Sequence, residues 1–251
     1  MVAKKVDGGE FMIIYGRVAV LEALKSEKTF NKLQVEKGQK DKTIQEIIDL
    51  ARENGIKVDF VEKEMIERKA KSVEQKGKVN HQGVIGETVE FEYSSVEEIV
   101  EDESDFIVLL DGVEDPHNLG AIVRTVECAG ASGIIIPERR ACNINETVIK
   151  TSAGAISNVK VARVGNLVQT IEKLKKDGFW IYAIEVGGEN LFKSNLKGKI
   201  AIVLGSEGKG VGRLVKESCD GILTIPMFGK INSLNVSVAA AISIFEVIKQ
   251  K

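Results

Sequence analysis

The sequence is poor in the residues from which metal centres and disulfide scaffolds are built. Its three cysteines, Cys128, Cys142 and Cys219, are widely spaced and form no Cys-x-x-Cys pair. Its two histidines, His81 and His117, lie far apart in the sequence. Because zinc sites need closely spaced ligands and disulfide scaffolds need paired cysteines, we expect no metal site and free thiols in a reducing cytoplasm.

Long apolar runs and a strong net charge are missing as well. No run is long enough for a secretory signal or a transmembrane helix, so we expect no membrane segment. The formal net charge of -2 excludes the strongly basic composition of many nucleic-acid-binding proteins. Charge is distributed unevenly, since residues 96–107 hold six acidic and no basic residues, whereas 108–251 hold 18 basic and 14 acidic ones. That modest basic excess permits phosphate binding without demonstrating it.

A length of 251 residues, 43% of them hydrophobic, is sufficient for two domains. Residues 12–92 contain short strand and helix patterns, the clearest being an amphipathic helix over Thr43–Asn54, and predict a small N-terminal α/β domain. The preceding Met1–Phe11 differs in composition, and we interpret it as an extension outside the fold. The acidic residues 93–105 are predicted to form a linker; the alternative is a surface helix inside one domain.

Residues 106–251 alternate regularly between apolar strands and helices. Phe106–Leu110 and Ile200–Leu204, for example, are continuously apolar. This pattern predicts a second α/β domain with a mostly parallel sheet covered by helices on both faces. Because ligands of such sheets bind beyond the carboxyl ends of the strands, the segments that follow strands are the candidate sites.

The first candidate segment follows Phe106–Leu110. Asn118 is predicted to cap the next helix, and Arg124 falls opposite the apolar stripe of that helix. An arginine one turn into a helix at the edge of a parallel sheet can bind a phosphate or a carboxylate. A solvated arginine paired with Glu127 is the alternative interpretation.

The second candidate segment, Gly205–Gly212, follows Ile200–Leu204 and contains four glycines among eight residues. Such a loop lets the backbone approach a ligand closely. Its spacing differs from that of a P-loop and from that of the dinucleotide fingerprint. Because the acidic Glu207 would repel a phosphate, the segment favours a neutral or cationic ligand.

The third candidate segment is a loop from Ile225 to Asn235, followed by a helix that is apolar on nearly every face as far as Ile248. The helix is too short to span a bilayer, so we expect it to be buried in the core or against a second subunit. Ser233 and Asn235 lie where the helix begins and are available for capping or for a ligand.

Together these segments resemble a known family. Asn118-x-Gly-Ala-x-x-Arg124-Thr, Leu204-Gly-Ser-Glu207-Gly-x-Gly and Ile225-Pro-Met with Ser233-Leu-Asn235-Val-Ser-Val-Ala are similar to the three motifs of the SpoU (TrmH-type) ribose 2′-O-methyltransferases of the SPOUT superfamily. In the N-terminal domain, Tyr15-Gly-Arg and His81-Gln-Gly83 resemble the RNA substrate-binding domain of one branch, the 23S rRNA guanosine 2′-O-methyltransferases.

The resemblance implies a deep trefoil knot in a catalytic domain over 106–251, a homodimer formed through that domain, and S-adenosylmethionine as cofactor without a metal. It implies structured RNA as the partner, with rRNA favoured over tRNA. The implied cofactor-binding residues are Gly205, Ile225 and Leu234. The implied catalytic residues are Asn118, Arg124, Glu207, Ser233 and Asn235.

Two roles for Arg124 stay open: the general base proposed for the family, or a cation that holds the adjacent phosphate and stabilises the developing alkoxide. We favour the second, because a guanidinium group stays protonated in proteins. The competing functions are a tRNA 2′-O-methyltransferase, a non-catalytic RNA-binding protein of the same architecture, and a small-molecule enzyme with a nucleotide cofactor. The N-terminal domain has no aromatic stacking cluster, which indicates recognition of RNA shape and phosphates.

Overall fold

The computed structural model describes residues 11–25, 29–73, 80–89, 91–206, 208–231 and 233–251. The chain divides into two compact units. The first comprises the described residues up to Glu92 together with Asn143–Glu146, and the second comprises Tyr93–Cys142 and Thr147–Lys251.

The first unit is built on a four-stranded sheet in the order β1-β4-β2-β3. Strand β4 pairs antiparallel with β1 and β2, whereas β2 and β3 are parallel. Apolar residues at helical spacing bury one face of α2, and the Asp41 side chain caps its first turn. The elements of this unit are β1 (Phe11–Tyr15), α1 (Arg17–Lys25), β2 (Thr29–Glu36), α2 (Lys42–Glu53), β3 (Lys57–Val61), α3 (Lys63–Val73) and β4 (Val84–Val89).

The first strand corrects the interpretation of Met1–Phe11 as an extension. Phe11 begins β1 and pairs with Val89, whereas residues 1–10 lie outside the described residues. Ile13 and Ile14 are both buried, in the two separate apolar clusters of this unit. A strand that buries consecutive residues shows no alternation of apolar and polar residues, which explains why the sequence pattern does not reveal it.

The second unit contains a six-stranded, entirely parallel sheet in the order β10-β8-β9-β5-β6-β7. The central strands β5 and β9 are buried almost throughout, as their continuous apolar runs predict. The strands are β5 (Phe106–Asp111), β6 (Gly133–Pro137), β7 (Val161–Val164), β8 (Trp180–Asn190), β9 (Ile200–Gly205) and β10 (Gly221–Thr224). The helices are α4 (Val96–Val100), α5 (Pro116–Ala129), α6 (Glu146–Thr151), α7 (Leu167–Lys176), α8 (Arg213–Ser218) and α9 (Val236–Lys249).

The acidic residues 93–105, predicted to be a linker, instead belong to the second unit. They contain α4, which begins with a capping box between Ser95 and Glu98. Ile99 is fully buried in the core of the unit. The prediction is wrong because Val96, Ile99 and Val100, which lie at helical spacing among the acidic residues, pack into the core of this unit.

Two element boundaries differ from the sequence patterns, and that of α9 agrees with its pattern. Strand β8 continues to Asn190 beside β10, six residues beyond the apolar run. Helix α5 begins at Pro116 with Asp115 as its cap, so Asn118 is not the cap that the sequence predicts. Helix α9 begins at Val236 with Asn235 as its cap.

Candidate active site

A cleft of about 690 Å³ lies where β9 and β10 end and where the pairing of β8 with β9 stops at Ile184. Because the three strands are parallel neighbours, the segments that follow them meet at one edge of the sheet, as expected for ligand sites in this architecture. Both polar and apolar groups line the cleft. The lining residues include Ile184, Glu185, Leu204, Gly205, Ser206, Lys209, Gly210, Thr224, Ile225, Met227, Ser233, Leu234, Asn235 and Val236.

The loop after β9 folds tightly against the cleft. Two backbone hydrogen bonds between Ser206 and Gly210, of 3.2 and 3.0 Å, close it. A Cβ atom on Gly205 would lie 2.0 Å from the carbonyl carbon of Gly210. A Cβ atom on Gly210, whose φ is +64°, would lie 2.1 Å from a carboxylate oxygen of Glu185. Only glycine therefore fits at both positions, which explains the glycine content of the segment.

Glu185 places a carboxylate in the cleft wall that sequence reasoning missed. It accepts a hydrogen bond from the Val211 N–H at 3.0 Å and lies 3.7 Å from the Lys216 ammonium group. Its position directly after the apolar run Trp180–Ile184 was the available signal, because that run ends at the ligand-binding edge. Glu207, the carboxylate that the sequence singled out, lies outside the described residues.

The loop between β10 and α9 forms the opposite part of the cleft lining. Ile225 is buried, whereas Ser233 and Leu234 are exposed. At the base of this loop, the Thr224 hydroxyl donates to the Glu185 carbonyl at 2.7 Å and accepts from the Gly188 N–H at 2.7 Å. These bonds hold the end of β10 against the second half of β8.

A side-chain hydrogen bond joins the first and third motifs. Asn235 donates from Nδ2 to Oδ1 of Asn118 at 3.0 Å. Oδ1 of Asn235 accepts from the Ser237 N–H at 2.9 Å and thereby caps α9. Asn118 is 8% exposed, so the bond is partly shielded from water. The two asparagines are thus held in one orientation at the start of α9.

Arg124 is exposed on α5 and is not among the residues that line the cleft. Among the residues that the structure describes, none forms a hydrogen bond or an ion pair with its guanidinium group. The pairing with Glu127 considered for it is not formed, because the Glu127 carboxylate instead accepts from Asn158 at 3.4 Å. The structure therefore brings Asn118 and Asn235 together and leaves the Arg124 side chain in solvent.

The remaining candidate groups show no arrangement for nucleophilic or metal chemistry. Burial raises the pKa of the Cys142 and Cys219 thiols to about 12, so both stay neutral at physiological pH. His117 lies at a hydrogen-bonding distance of 3.4 Å from the Thr151 hydroxyl. Within the described ranges, no group of histidine, cysteine and acidic residues could hold a metal ion. In the same ranges, no helix is both long and apolar enough to cross a membrane.

Two protein-family models match the chain. The model of the SpoU rRNA Methylase family matches residues 105–245, which span the parallel sheet and the cleft. This chain belongs to the SpoU rRNA methylase family. The model for RNA 2′-O ribose methyltransferase substrate binding matches residues 13–94. The family and the fold class predicted from the sequence are thereby confirmed.

Proteins of similar sequence carry related names. The chain is 40% identical to YacO of Bacillus subtilis, which is named as a TrmH family tRNA/rRNA methyltransferase, over 95% of each chain. It is 42% identical to a protein of Staphylococcus saprophyticus named in the same way, over 96% of this chain and 97% of the relative. The matches extend over both units of this chain.

Solved structures share the fold. The SpoU methyltransferase AviRb from Streptomyces viridochromogenes, in complex with the cofactor AdoMet, superposes with a TM-score of 0.60 at 18% identity, over 96% of this chain and 90% of that one. The AdoMet-bound rRNA methyltransferase from Sinorhizobium meliloti gives a TM-score of 0.61 at 24% identity, over 95% and 87%. At these identities the likeness concerns the fold of the SpoU methylases.

Proposed function

We propose that the protein is an S-adenosylmethionine-dependent RNA ribose 2′-O-methyltransferase that acts in the cytoplasm on a guanosine of large-subunit rRNA. The observation that carries the proposal is the hydrogen bond between Asn118 and Asn235 beside the cleft at the end of β9. It unites two motifs that are 117 residues apart, next to a cavity of the size that small-molecule cofactors occupy.

The composition of the cleft suits S-adenosylmethionine. The close backbone packing at Gly205 leaves main-chain groups of the loop available to a ligand. Leu204, Ile225 and Val236 supply apolar surface for the adenosine moiety. Among the described lining residues, Glu185 supplies the one carboxylate and Lys209 the one ammonium group, a combination that suits a ligand carrying charges of both signs, as S-adenosylmethionine does. Gly205, Ile225 and Leu234 are the residues proposed to contact the cofactor.

The cofactor, when bound, supplies a methyl group on a sulfonium, so the transfer requires positioning of the acceptor rather than a metal. The 2′-oxygen forms a bond to the methyl carbon as the carbon–sulfur bond breaks, S-adenosylhomocysteine leaves as a neutral thioether, and the hydroxyl proton passes to water. We assign Arg124 to the phosphate adjacent to the target ribose, where its positive charge stabilises the developing alkoxide. Asn118 and Asn235 orient the ribose, and Ser233 and Glu207 complete the proposed catalytic set. The Arg124 guanidinium group is exposed and pairs with none of the described residues, so it is available for this role.

We also propose that the protein forms a homodimer through the catalytic domain. Val238 and Phe245 of α9 are 46% and 50% exposed, and a spacing of seven residues places them on one face of the helix. An exposed apolar face on an otherwise buried helix is a common feature of subunit interfaces. The trefoil knot of the family is proposed for the segment that carries the 225–235 loop and α9.

The test is methyl transfer from radiolabelled S-adenosylmethionine to unmodified large-subunit rRNA, with unmodified tRNA as the second substrate. We expect labelling of rRNA by the unaltered protein. Arg124→Ala should abolish the transfer while calorimetry shows unchanged cofactor affinity. Labelling of tRNA alone would support the tRNA enzyme, a candidate favoured by the tRNA/rRNA naming of the Bacillus relative. RNA retention without transfer would indicate a non-catalytic RNA-binding protein.

A further inference from the structure

We propose that the loop Lys37–Lys42 in the N-terminal unit binds the phosphate backbone of the substrate RNA, and that Arg17 is the positioning residue that holds this loop in shape. The inference rests on the proposed function, because RNA, the ligand of this loop, is the substrate class proposed above. It assigns a particular surface and particular side chains to RNA binding within a unit of roughly 90 residues.

The Arg17 side chain connects three segments that are distant in sequence. Its backbone N–H donates to Oε1 of Gln82 at 3.0 Å, and its Nε donates to the carbonyl of the same residue at 3.0 Å. One terminal nitrogen donates to Oε1 of Gln39 at 3.2 Å. The other lies 2.8 Å from the Asp41 carboxylate. The planar guanidinium thus ties the Lys37–Lys42 loop to the turn at Gln82.

The backbone at this junction has a specific and costly shape. Gln82 has a φ of +50°, a conformation that residues other than glycine rarely adopt. Its neighbour Gly83 has a φ of +79°, and a Cβ atom there would lie 2.9 Å from the Gln39 side chain. Such strained backbone persists only where the surroundings determine it, and it is concentrated at functional sites. The two sequence motifs that contain Arg17 and Gln82 therefore meet at a turn with strained backbone.

The loop carries positive charge that the described residues of the unit do not neutralise. Lys37 is paired with Glu62 at 2.6 Å, and Asp41 is paired with Arg17. Lys40 and Lys42 are exposed, and no described residue lies within ion-pair distance of either ammonium group. Four cations and two carboxylates among these residues leave a net charge of +2 at the loop.

The chemistry of the loop fits RNA phosphates better than bases. The loop and the junction contain no aromatic side chain on which a base could stack. Lysine ammonium groups act as point charges that bind phosphates without reading sequence. The loop therefore contributes to the affinity for RNA and to the orientation of the bound RNA. This agrees with the absence of an aromatic stacking cluster from the sequence of this unit.

The decisive experiment compares two double variants that remove the same charge. Lys40→Ala/Lys42→Ala removes the two unpaired lysines of the loop. The control, Lys57→Ala/Lys63→Ala, removes two exposed lysines of the same unit that are paired with Asp59 and Glu67. Binding of fluorescently labelled, in vitro transcribed large-subunit rRNA is followed by fluorescence anisotropy at roughly 50 to 400 mM salt. Over this range, the release of counterions from RNA changes the affinity measurably.

We expect the loop variant to lower the salt slope of log K by about 2, one for each lost phosphate contact, and to weaken binding roughly 10-fold at low salt. The control should stay within roughly two-fold of the unaltered protein. Equal effects of the two double variants, or no measurable RNA binding by the unaltered protein, would overturn the proposal. If the loop variant loses binding while the unaltered protein binds RNA but transfers no methyl group, the surface stands and the proposed activity fails.

Arg17→Lys tests the positioning role because lysine conserves the charge but lacks the planar fork that contacts Gln39, Asp41 and Gln82 at once. We expect weaker RNA binding and therefore a higher KM for RNA. The kcat at saturating RNA and the affinity for S-adenosylmethionine should be unchanged. Circular dichroism checks that the N-terminal unit remains folded. RNA affinity equal to that of the unaltered protein would refute the role assigned to Arg17.

Discussion

Substitution of Asn235 separates the structural from the functional role of the hydrogen bond between the motifs. In the structure Asn235 caps α9 through Ser237 and donates to Asn118 at 3.0 Å. Loss of a cap costs about 1 kcal/mol, and loss of a neutral hydrogen bond costs about 1 kcal/mol. Asn235→Ala should therefore destabilise the second unit by about 2 kcal/mol. Asn235→Ser keeps a capping oxygen but is too short to reach Asn118, so about half of that loss should be recovered.

Urea unfolding monitored by tryptophan fluorescence measures these differences, because the single tryptophan, Trp180, lies in β8 of the second unit. Adding Asn118→Ala to each variant completes a double-mutant cycle, in which we expect a coupling energy of about 1 kcal/mol between the two asparagines. Methyl transfer should fall roughly 100-fold in both Asn235 variants, since a misplacement of about 1 Å has that effect. An Asn235→Ser variant with normal activity would refute the account of the paired asparagines.

Three further predictions concern the cleft and the subunit interface. Gly205→Ala should weaken S-adenosylmethionine binding, measured by calorimetry, roughly 10-fold or more, because the added Cβ would overlap the neighbouring loop. Gly229→Ala is the control and should bind normally, because open space surrounds Gly229. Glu185→Gln should reduce affinity for the cationic cofactor roughly five-fold and leave affinity for neutral S-adenosylhomocysteine nearly unchanged; equal losses would contradict a charge effect. Phe245→Asp should convert the dimer to monomers in sedimentation experiments, whereas Phe192→Asp, at a similarly exposed phenylalanine, should not.

The parallel sheet could be predicted because its central strands are continuously apolar and its helices show clear periodicity. From that architecture the ligand-binding edge followed, and the structure places Gly205, Ile225, Ser233, Leu234 and Asn235 in the lining of one cleft at that edge. Their chemical roles stay proposals, because the cleft geometry alone does not assign them.

Other features depend on contacts that no local pattern contains. Glu185 is part of the cleft wall because the loop after β9 packs against it, 26 positions further along the chain. The junction of Arg17 with Gln82 joins residues 65 positions apart. The acidic segment around Ile99 was misjudged because charge density in a sequence reports on exposed side chains and not on the apolar residues between them. Contacts between residues distant in sequence thus determine these features, and the composition of a segment does not predict them.

The central claim is that this protein methylates a ribose 2′-hydroxyl of RNA, and nucleoside analysis of the product tests it most directly. Unmodified large-subunit rRNA is incubated with the protein and deuterated S-adenosylmethionine, digested to nucleosides and measured by mass spectrometry. We expect 2′-O-methylguanosine carrying the deuterated methyl group, absent with Arg124→Ala. A base-methylated nucleoside, or no deuterated nucleoside from rRNA or tRNA, would contradict the account.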